Sequence, residues 1–303
     1  MAGLDLEIAG IKLKNPVLVA SGTFGYGEEA ANFVDLDKLG AIVTKTITLN
    51  PRGGNPPPRI CETAAGMLNS IGLQNKGVKD FIDNALPFLA RFKTPVIANI
   101  AGESLEEYAE LAKILNKVAT VKGLELNISC PNVKKGGLQF GTDPQTVTDL
   151  VKKVRPETTL PLIVKLSPNV TDITVIAKAA EAAGADALSL INTIMGMAID
   201  SETRKPKIAA VTGGLSGPAI KPVALRMVWQ VAKAVKIPII GLGGIMTGED
   251  AIEFFLAGAS AVQVGTANFV DPQAPIRITA EINNYLNKKK ISHYRELINA
   301  LAL

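Results

Sequence analysis

Eight short, almost continuously apolar runs constrain this chain most: Pro16–Ala20, Ala41–Thr46, Pro95–Ile100, Gly123–Ile128, Leu162–Leu166, Ala187–Ile191, Ile237–Leu242 and Ala261–Val264. Strands of a half-exposed sheet alternate apolar with polar residues. Runs without alternation fit parallel strands buried on both faces. Between them lie amphipathic helical patterns. Ser104–Ala119 carries Leu105, Tyr108, Leu111, Ala112 and Leu115 at helical spacing, and Ser104 with Glu107 has the spacing of a capping box. Val170–Ala183 and Thr247–Ala257 read the same way, with Thr171 and Thr247 as N-caps and Gly184 and Gly258 as stops. Right-handed crossovers close eight such units into an α/β fold, the (β/α)8 TIM barrel of about 250 residues. The remaining ~50 of the 303 residues fall in a small N-terminal hairpin, Leu4–Lys14, and in long loops at the C-terminal face. An open doubly wound sheet is the rival architecture, but its G-x-G-x-x-G fingerprint after the first strand is missing. No repeat or linker divides the chain, so residues 1–303 read as a single domain. The Pro-rich Gly54–Pro58 is a stiff loop.

Composition narrows the chemistry. The 32 basic and 28 acidic residues leave a net charge of +4, without the concentrated basic stripes of a nucleic-acid binder. The two cysteines, Cys61 and Cys130, exclude a disulfide scaffold and fit a reducing cytoplasm. One histidine, His293, in a C-terminal helical segment, argues against a multi-His metal site and a Ser-His-Asp triad, so no metal is expected. The start MAGLDLEIAG lacks the pattern of a signal peptide, and no apolar run approaches the roughly 20 residues of a membrane helix. A cytoplasmic protein is the expectation.

In a barrel, function gathers at the C-terminal strand ends. Those ends here carry Ser21, Lys45 and Thr46, Asn99, Asn127, Lys165, Asn192 and Thr193, Gly243 and Gly244, and Gly265 and Thr266. Such a ring of amides, lysines and glycines suits a planar, polar ligand. The Gly-rich turns after strands 7 and 8, with the helix start at Thr247, have the form of a barrel phosphate site. Lys45 and Lys165 sit in apolar strands, where a lysine either reaches the rim or stabilises a developing anion. Cys130 lies just past a strand end in the polar, Gly-rich NISCPNVKKGG. With no usable histidine in the barrel, its thiol is the foremost candidate for base or nucleophile. Cys61, in a Pro-flanked loop, has no comparable setting. Ser129–Gly141 is the expected lid.

These residues carry a resemblance that covers essentially the whole chain. ASGTFGYGEE after strand 1, NSIGLQN at Asn69–Asn75, NISCPN, INT, GLGGI and VGT resemble the class 1 dihydroorotate dehydrogenases, of the NAD-linked type B. The resemblance implies a catalytic subunit that binds FMN and oxidises (S)-dihydroorotate to orotate in pyrimidine synthesis. It implies FMN contacts from Ser21, Lys45, Thr46, Asn99, Asn127, Lys165, Ile191, Gly217, Gly243, Gly244, Gly265 and Thr266. It implies substrate contacts from Lys45, Asn69, Ser70, Ile71, Gly72, Leu73, Asn127, Asn132, Asn192 and Thr193. Cys130 would take the proton from C5 while C6 passes hydride to flavin N5, and Lys165 would steady the charge of the reduced flavin. The implied partner is a subunit with FAD and a two-iron two-sulfur cluster that reduces NAD, in a heterotetramer built on a homodimer of catalytic chains. Alternatives are the fumarate-linked type A enzyme, a related flavoenzyme acting on uracil or thymine, a colourless aldolase with Lys165 as Schiff base, and a non-catalytic binding protein.

Overall fold

The computed structural model of the chain describes residues 2–128 and 141–302. At its centre is a closed barrel of eight parallel strands. These are β1 (Val17–Val19), β2 (Ile42–Val43), β3 (Val96–Ile100), β4 (Val121–Asn127), β5 (Leu162–Lys165), β6 (Ala187–Leu190), β7 (Ile239–Leu242) and β8 (Ala261–Val264). Each pairs with the next in chain order, and β8 closes on β1 with Val262 opposite Val17. Every expected run carries a strand. The largest shortfall is at Ala41–Thr46, where only Ile42–Val43 is strand. There the Thr44 hydroxyl accepts the Asn99 backbone N–H, a side chain standing in for the ladder as the chain leaves the barrel wall.

Strand alternation sorts the barrel interior into layers. Ile97, Ile163, Ala187 and Ala261 share their strand faces with Asn99, Lys165, Ser189 and Gln263, two residues further on, and all eight are buried. One end of the interior is therefore apolar and the other polar. The antiparallel hairpin of Leu6–Ile8 and Ile11–Leu13, as expected from Leu4–Lys14, seals the apolar end. A Cβ on Gly123 would lie 2.7 Å from Ile11 Cδ1, so that end has no room to spare.

The helices follow their caps, with two corrections. Ser104 caps Leu105–Leu115 by accepting the Glu107 N–H, but the Glu107 carboxylate takes the N–H of Glu103 rather than of Ser104, so no reciprocal box closes. Ile173–Ala182 is capped by Asp172, not Thr171: a carboxylate one residue nearer the helix accepts both the N–H and the hydroxyl of Thr174. Thr247 caps Gly248–Leu256 in a full capping box with Asp250. Gly184 and Gly258 stop their helices with φ of 106° and 113°, a region costly for any side chain. Replacing Thr247 by Ala is expected to lower stability by about 1 kcal/mol, measured by urea unfolding.

A four-stranded antiparallel sheet lies outside the expected runs: Ile194–Met197, Thr212–Ser216, Gly66–Asn69 and Ile60–Thr63, in that spatial order. Cys61 is on its last strand, not in a loop. His293 is not helical either. Its Nδ1 accepts the Arg295 N–H and caps a single 3-10 turn, Tyr294–Leu297, with Glu296 completing the box. Among the described residues no helix is long and apolar enough to cross a membrane.

Candidate active site

The polar end of the barrel opens into a cavity of about 730 Å3, within the range of small-molecule sites. The strand ends form one side of it. The four-stranded sheet forms the other, through Met67, Asn69, Met195, Thr212 and Ser216. This juxtaposition follows from chain order: two of the sheet strands follow β2 and two follow β6, on opposite sides of the ring.

The floor is a hydrogen-bonded layer. Lys165, only 4% exposed, donates from Nζ to Ser21 Oγ at 3.0 Å and lies 3.8 Å from Glu125 Oε1. Glu125 is fully buried and accepts from Asn99 Nδ2 at 2.7 Å, Ser189 Oγ at 2.8 Å and Gln263 Nε2 at 2.7 Å. Donors on every side are what an ionised buried carboxylate requires. From Asn99 a relay climbs to the cavity. Thr46 Oγ1 donates to Asn99 Oδ1, Asn127 Nδ2 donates to Thr46 Oγ1, and Asn192 Nδ2 donates to Asn127 Oδ1. At its outer end the Thr193 N–H donates to Asn192 Oδ1. The sense of each amide is thus fixed from both ends.

The glycine turns form an anion cradle. Gly217, Gly243 and Gly244 adopt φ of 95°, 127° and 78°. A Cβ on Gly244 would meet Lys221 N at 2.9 Å and Gly217 O at 3.0 Å, so the backbones converge as closely as glycine permits. Gly265 and Thr266 line the cavity beside them, and Thr266 Oγ1 donates to Ser216 Oγ. The helix that starts at Thr247 does not take part, a correction to the sequence expectation. Thr247, Gly248 and Glu249 do not line the cavity, and three of the leading N–H groups are already used: Thr247 N and Asp250 N by the capping box, and Gly248 N by the Glu281 carboxylate.

Asp250 also accepts Lys221 Nζ at 2.6 Å. Burial alone pushes its carboxyl up, but hydrogen bonds from Lys221, from the Met246 backbone, and from Thr247 outweigh burial and hold it below the ordinary value. A group depressed on folding stabilises the fold above its unfolded pKa, about 3.9, and loses that contribution as pH falls through the folded value. Asp250→Asn should therefore be less stable than the parent at pH 7, and the difference should close below about pH 4. Urea midpoints across that range check it.

Most residues expected at the site meet in this cavity. Ser21, Lys45, Thr46, Asn127, Lys165, Ile191, Gly217, Gly243, Gly244, Gly265 and Thr266 line it, as do Asn69, Ser70, Ile71, Gly72, Leu73, Asn192 and Thr193. Asn99 does not. It is fully buried beneath, holding Thr46 and Glu125, because strand alternation puts it one layer down. Cys130, Asn132 and nearly all of the expected lid, Ser129–Gly141, lie outside the described residues. Glu125, Ser189 and Gln263 escaped the sequence reading. The signal was present: Glu125 stands two residues before Asn127, and Gln263 two before Gly265, so each shares a strand face with a residue that was selected.

The arrangement is one polar cavity with a glycine anion cradle at one side, a buried ammonium at the floor and amides opposite. Comparison with known proteins gives the family. A family model described as dihydroorotate dehydrogenase matches residues 3–286. The chain is 63% identical over 298 residues to the dihydroorotate dehydrogenase B (NAD(+)) catalytic subunit of Geobacter metallireducens, covering 98% of each chain. It is 62% identical over 298 residues to the protein of the same name from Geobacter sulfurreducens, again covering 98% of each. Among solved structures, DHODH from Eimeria tenella in complex with ferulenol superposes with a TM-score of 0.81 at 26% identity, over 98% of this chain and 88% of that one.

Proposed function

The chain belongs to the dihydroorotate dehydrogenase family, and from that premise we propose that it is the catalytic subunit of an NAD-linked, type B enzyme. It oxidises (S)-dihydroorotate to orotate in de novo pyrimidine synthesis, works in the cytoplasm, and forms one FMN-binding unit over residues 1–303. The observation that carries this reading is that every expected site residue within the described chain, except Asn99, lines a single cavity.

That cavity fits FMN by its own features. A phosphate suits the converging glycines at Gly217, Gly243 and Gly244, where a Cβ would collide with neighbouring protein atoms, with Gly265 and Thr266 lining the cavity beside them. A polar ring suits Ser21, Lys45, Thr46, Asn127, Lys165 and Ile191. FMN, when bound, supplies a two-electron acceptor for the hydride from C6 of the substrate.

The chain's own groups do the rest. Lys45 offers a positive charge to the substrate carboxylate. Asn69, Asn127 and Asn192 offer paired donors and acceptors to a ring that carries both. Asn69 is held by its Nδ2 donating to Gly214 O, across the sheet that covers the cavity. Ser70–Leu73 follow in a loop pinned by Asn55, whose side chain donates to Ser70 O and whose backbone N–H donates to Ile71 O. Asn132 completes the substrate contacts in this reading. Cys130 removes the C5 proton, and Lys165 holds a positive charge at the floor where electron density accumulates. Electrons then leave through a partner subunit with FAD and a two-iron two-sulfur cluster, in a heterotetramer built on a dimer of catalytic chains. The relatives' name of catalytic subunit supports a partner.

Anaerobic mixing of the purified chain with dihydroorotate tests the reading. Bleaching of the visible flavin band is the expected result. A yellow protein that stays unbleached would discard this substrate, and a colourless chain that takes up no FMN would overturn the cofactor.

A further inference from the structure

Gln263 has a donor end and an acceptor end, and the structure accounts for only one of them. Its Nε2 donates to Glu125 Oε2 at 2.7 Å. Its Oε1 is buried without a hydrogen-bond partner among the described residues, although Gln263 lines the cavity floor. The side chain is 0% exposed, so solvent outside the cavity does not satisfy it. A buried acceptor left unpaired is costly and calls for an explanation.

The amide cannot simply turn over. Glu125, as a carboxylate, only accepts. A reversed Gln263 would set its oxygen against Glu125 Oε2. Asn99 and Ser189 supply the other donors to that carboxylate, and Lys165 stands 3.8 Å away as its counter-charge. Glu125 therefore fixes the sense of the Gln263 amide, with the NH2 toward the carboxylate and the carbonyl on the other side.

We infer that Gln263 is a cofactor-binding residue whose Oε1 accepts a hydrogen bond from a donor of the bound cofactor, a ring N–H or a ribityl hydroxyl, and that Glu125 is the positioning residue that fixes its sense. This rests on the FMN reading of the cavity. Glu125 serves the site in a second way, as the counter-ion of Lys165. A neutral amide at 125 is expected to reverse Gln263. A glutamine there would accept from Asn99 and turn its own NH2 toward Gln263 Nε2, two donors face to face. Gln263 relieves this by rotating, which presents NH2 to the cavity in place of the carbonyl.

The test measures FMN binding to the flavin-free chain by quenching of flavin fluorescence, so it does not depend on turnover. Gln263→Met, which keeps the volume and removes the acceptor, should weaken binding roughly tenfold. Glu125→Gln should weaken it to a similar degree. The exchange Glu125→Gln with Gln263→Glu tests the positioning role. There the amide at 125 donates to the carboxylate at 263, an acceptor again stands at 263, and affinity should recover toward the parent beyond what the single changes combine to. A purely structural pair would recover in the exchange as well, but it predicts a lower urea midpoint with parent-like FMN affinity in folded Gln263→Met. Parent-like affinity in Gln263→Met, or an exchanged pair no tighter than Glu125→Gln alone, would overturn the assignment. If Glu125→Gln does not fold, Gln263→Met still decides, because it leaves the carboxylate in place. A parent chain that binds no FMN would overturn the flavin reading itself, an outcome distinct from variants that fail beside a parent that binds.

Discussion

Cys130→Ala is expected to slow flavin reduction by dihydroorotate by roughly 10²–10⁴-fold while FMN stays bound, the range for removing a general base. His293, the single histidine, is held at the foot of the chain's last turn by Arg295 and Glu296, far along the sequence from any strand end. The carboxylates near the site are already engaged: Glu125 by three donors and Asp250 by Lys221 and its own helix. The lysines are ammonium groups with anions to hold. In the proposed mechanism that leaves the Cys130 thiol, just past β4 in sequence, as the base. A thiol with the ordinary pKa of about 8.5 implies a reductive rate that rises with pH through that region in the parent. Stopped-flow reduction across pH 6–10 checks both parts. A Cys130→Ala chain that bleaches at the parent's rate would remove the thiol from the mechanism.

Lys165→Met carries the second large effect, on two observables. The rate of flavin reduction should fall by about 10²–10³-fold, as for loss of a charge preorganised at the reacting centre. Stability should fall as well. Lys165 and Glu125 are a buried pair, and removing one partner leaves the other charge without compensation, at a cost of about 3–5 kcal/mol. The three hydrogen bonds that Glu125 keeps place the expected loss at the lower end. Pairing Lys165→Met with Glu125→Gln should return much of the stability without returning the rate, because the buried charge is gone while the ammonium is still absent. Urea unfolding reads the first and stopped-flow the second. Recovery of both together would mean that Lys165 acts only as a structural partner of Glu125.

The barrel was legible because parallel strands covered by helices are apolar on both faces, which marks each as an unbroken run. The site was legible where polar residues end those runs, as at Asn127, Lys165 and Gly265. It was illegible one layer down. A single Glu or Gln inside an apolar strand reads as a break in the pattern unless strand alternation is followed inward, which hides Glu125 and Gln263 and makes Asn99 look like a strand-end residue. The sheet over the cavity left almost no trace. Gly66–Asn69 and Thr212–Ser216 are short, glycine-bearing and without apolar alternation. They pair only because the closed ring brings the segments after β2 and β6 together. The helix at Thr247 shows a related limit: its cap is legible in the sequence, but not that its start lies off the cavity with N–H groups taken by Thr247, Asp250 and Glu281.

That sheet also orders the way the molecule comes together and apart. Its central pairing joins Asn69 to Gly214, 145 positions apart in sequence. Closing so long a loop costs entropy that no local contact repays, so the pairing is favoured only after the ring has formed. The sheet over the cavity is then expected to assemble late and to open early, a pattern that native-state hydrogen exchange reads. Destabilising changes in the barrel, even distant ones, should register first as loosening of this wall of the cavity, while the ring of eight strands remains folded.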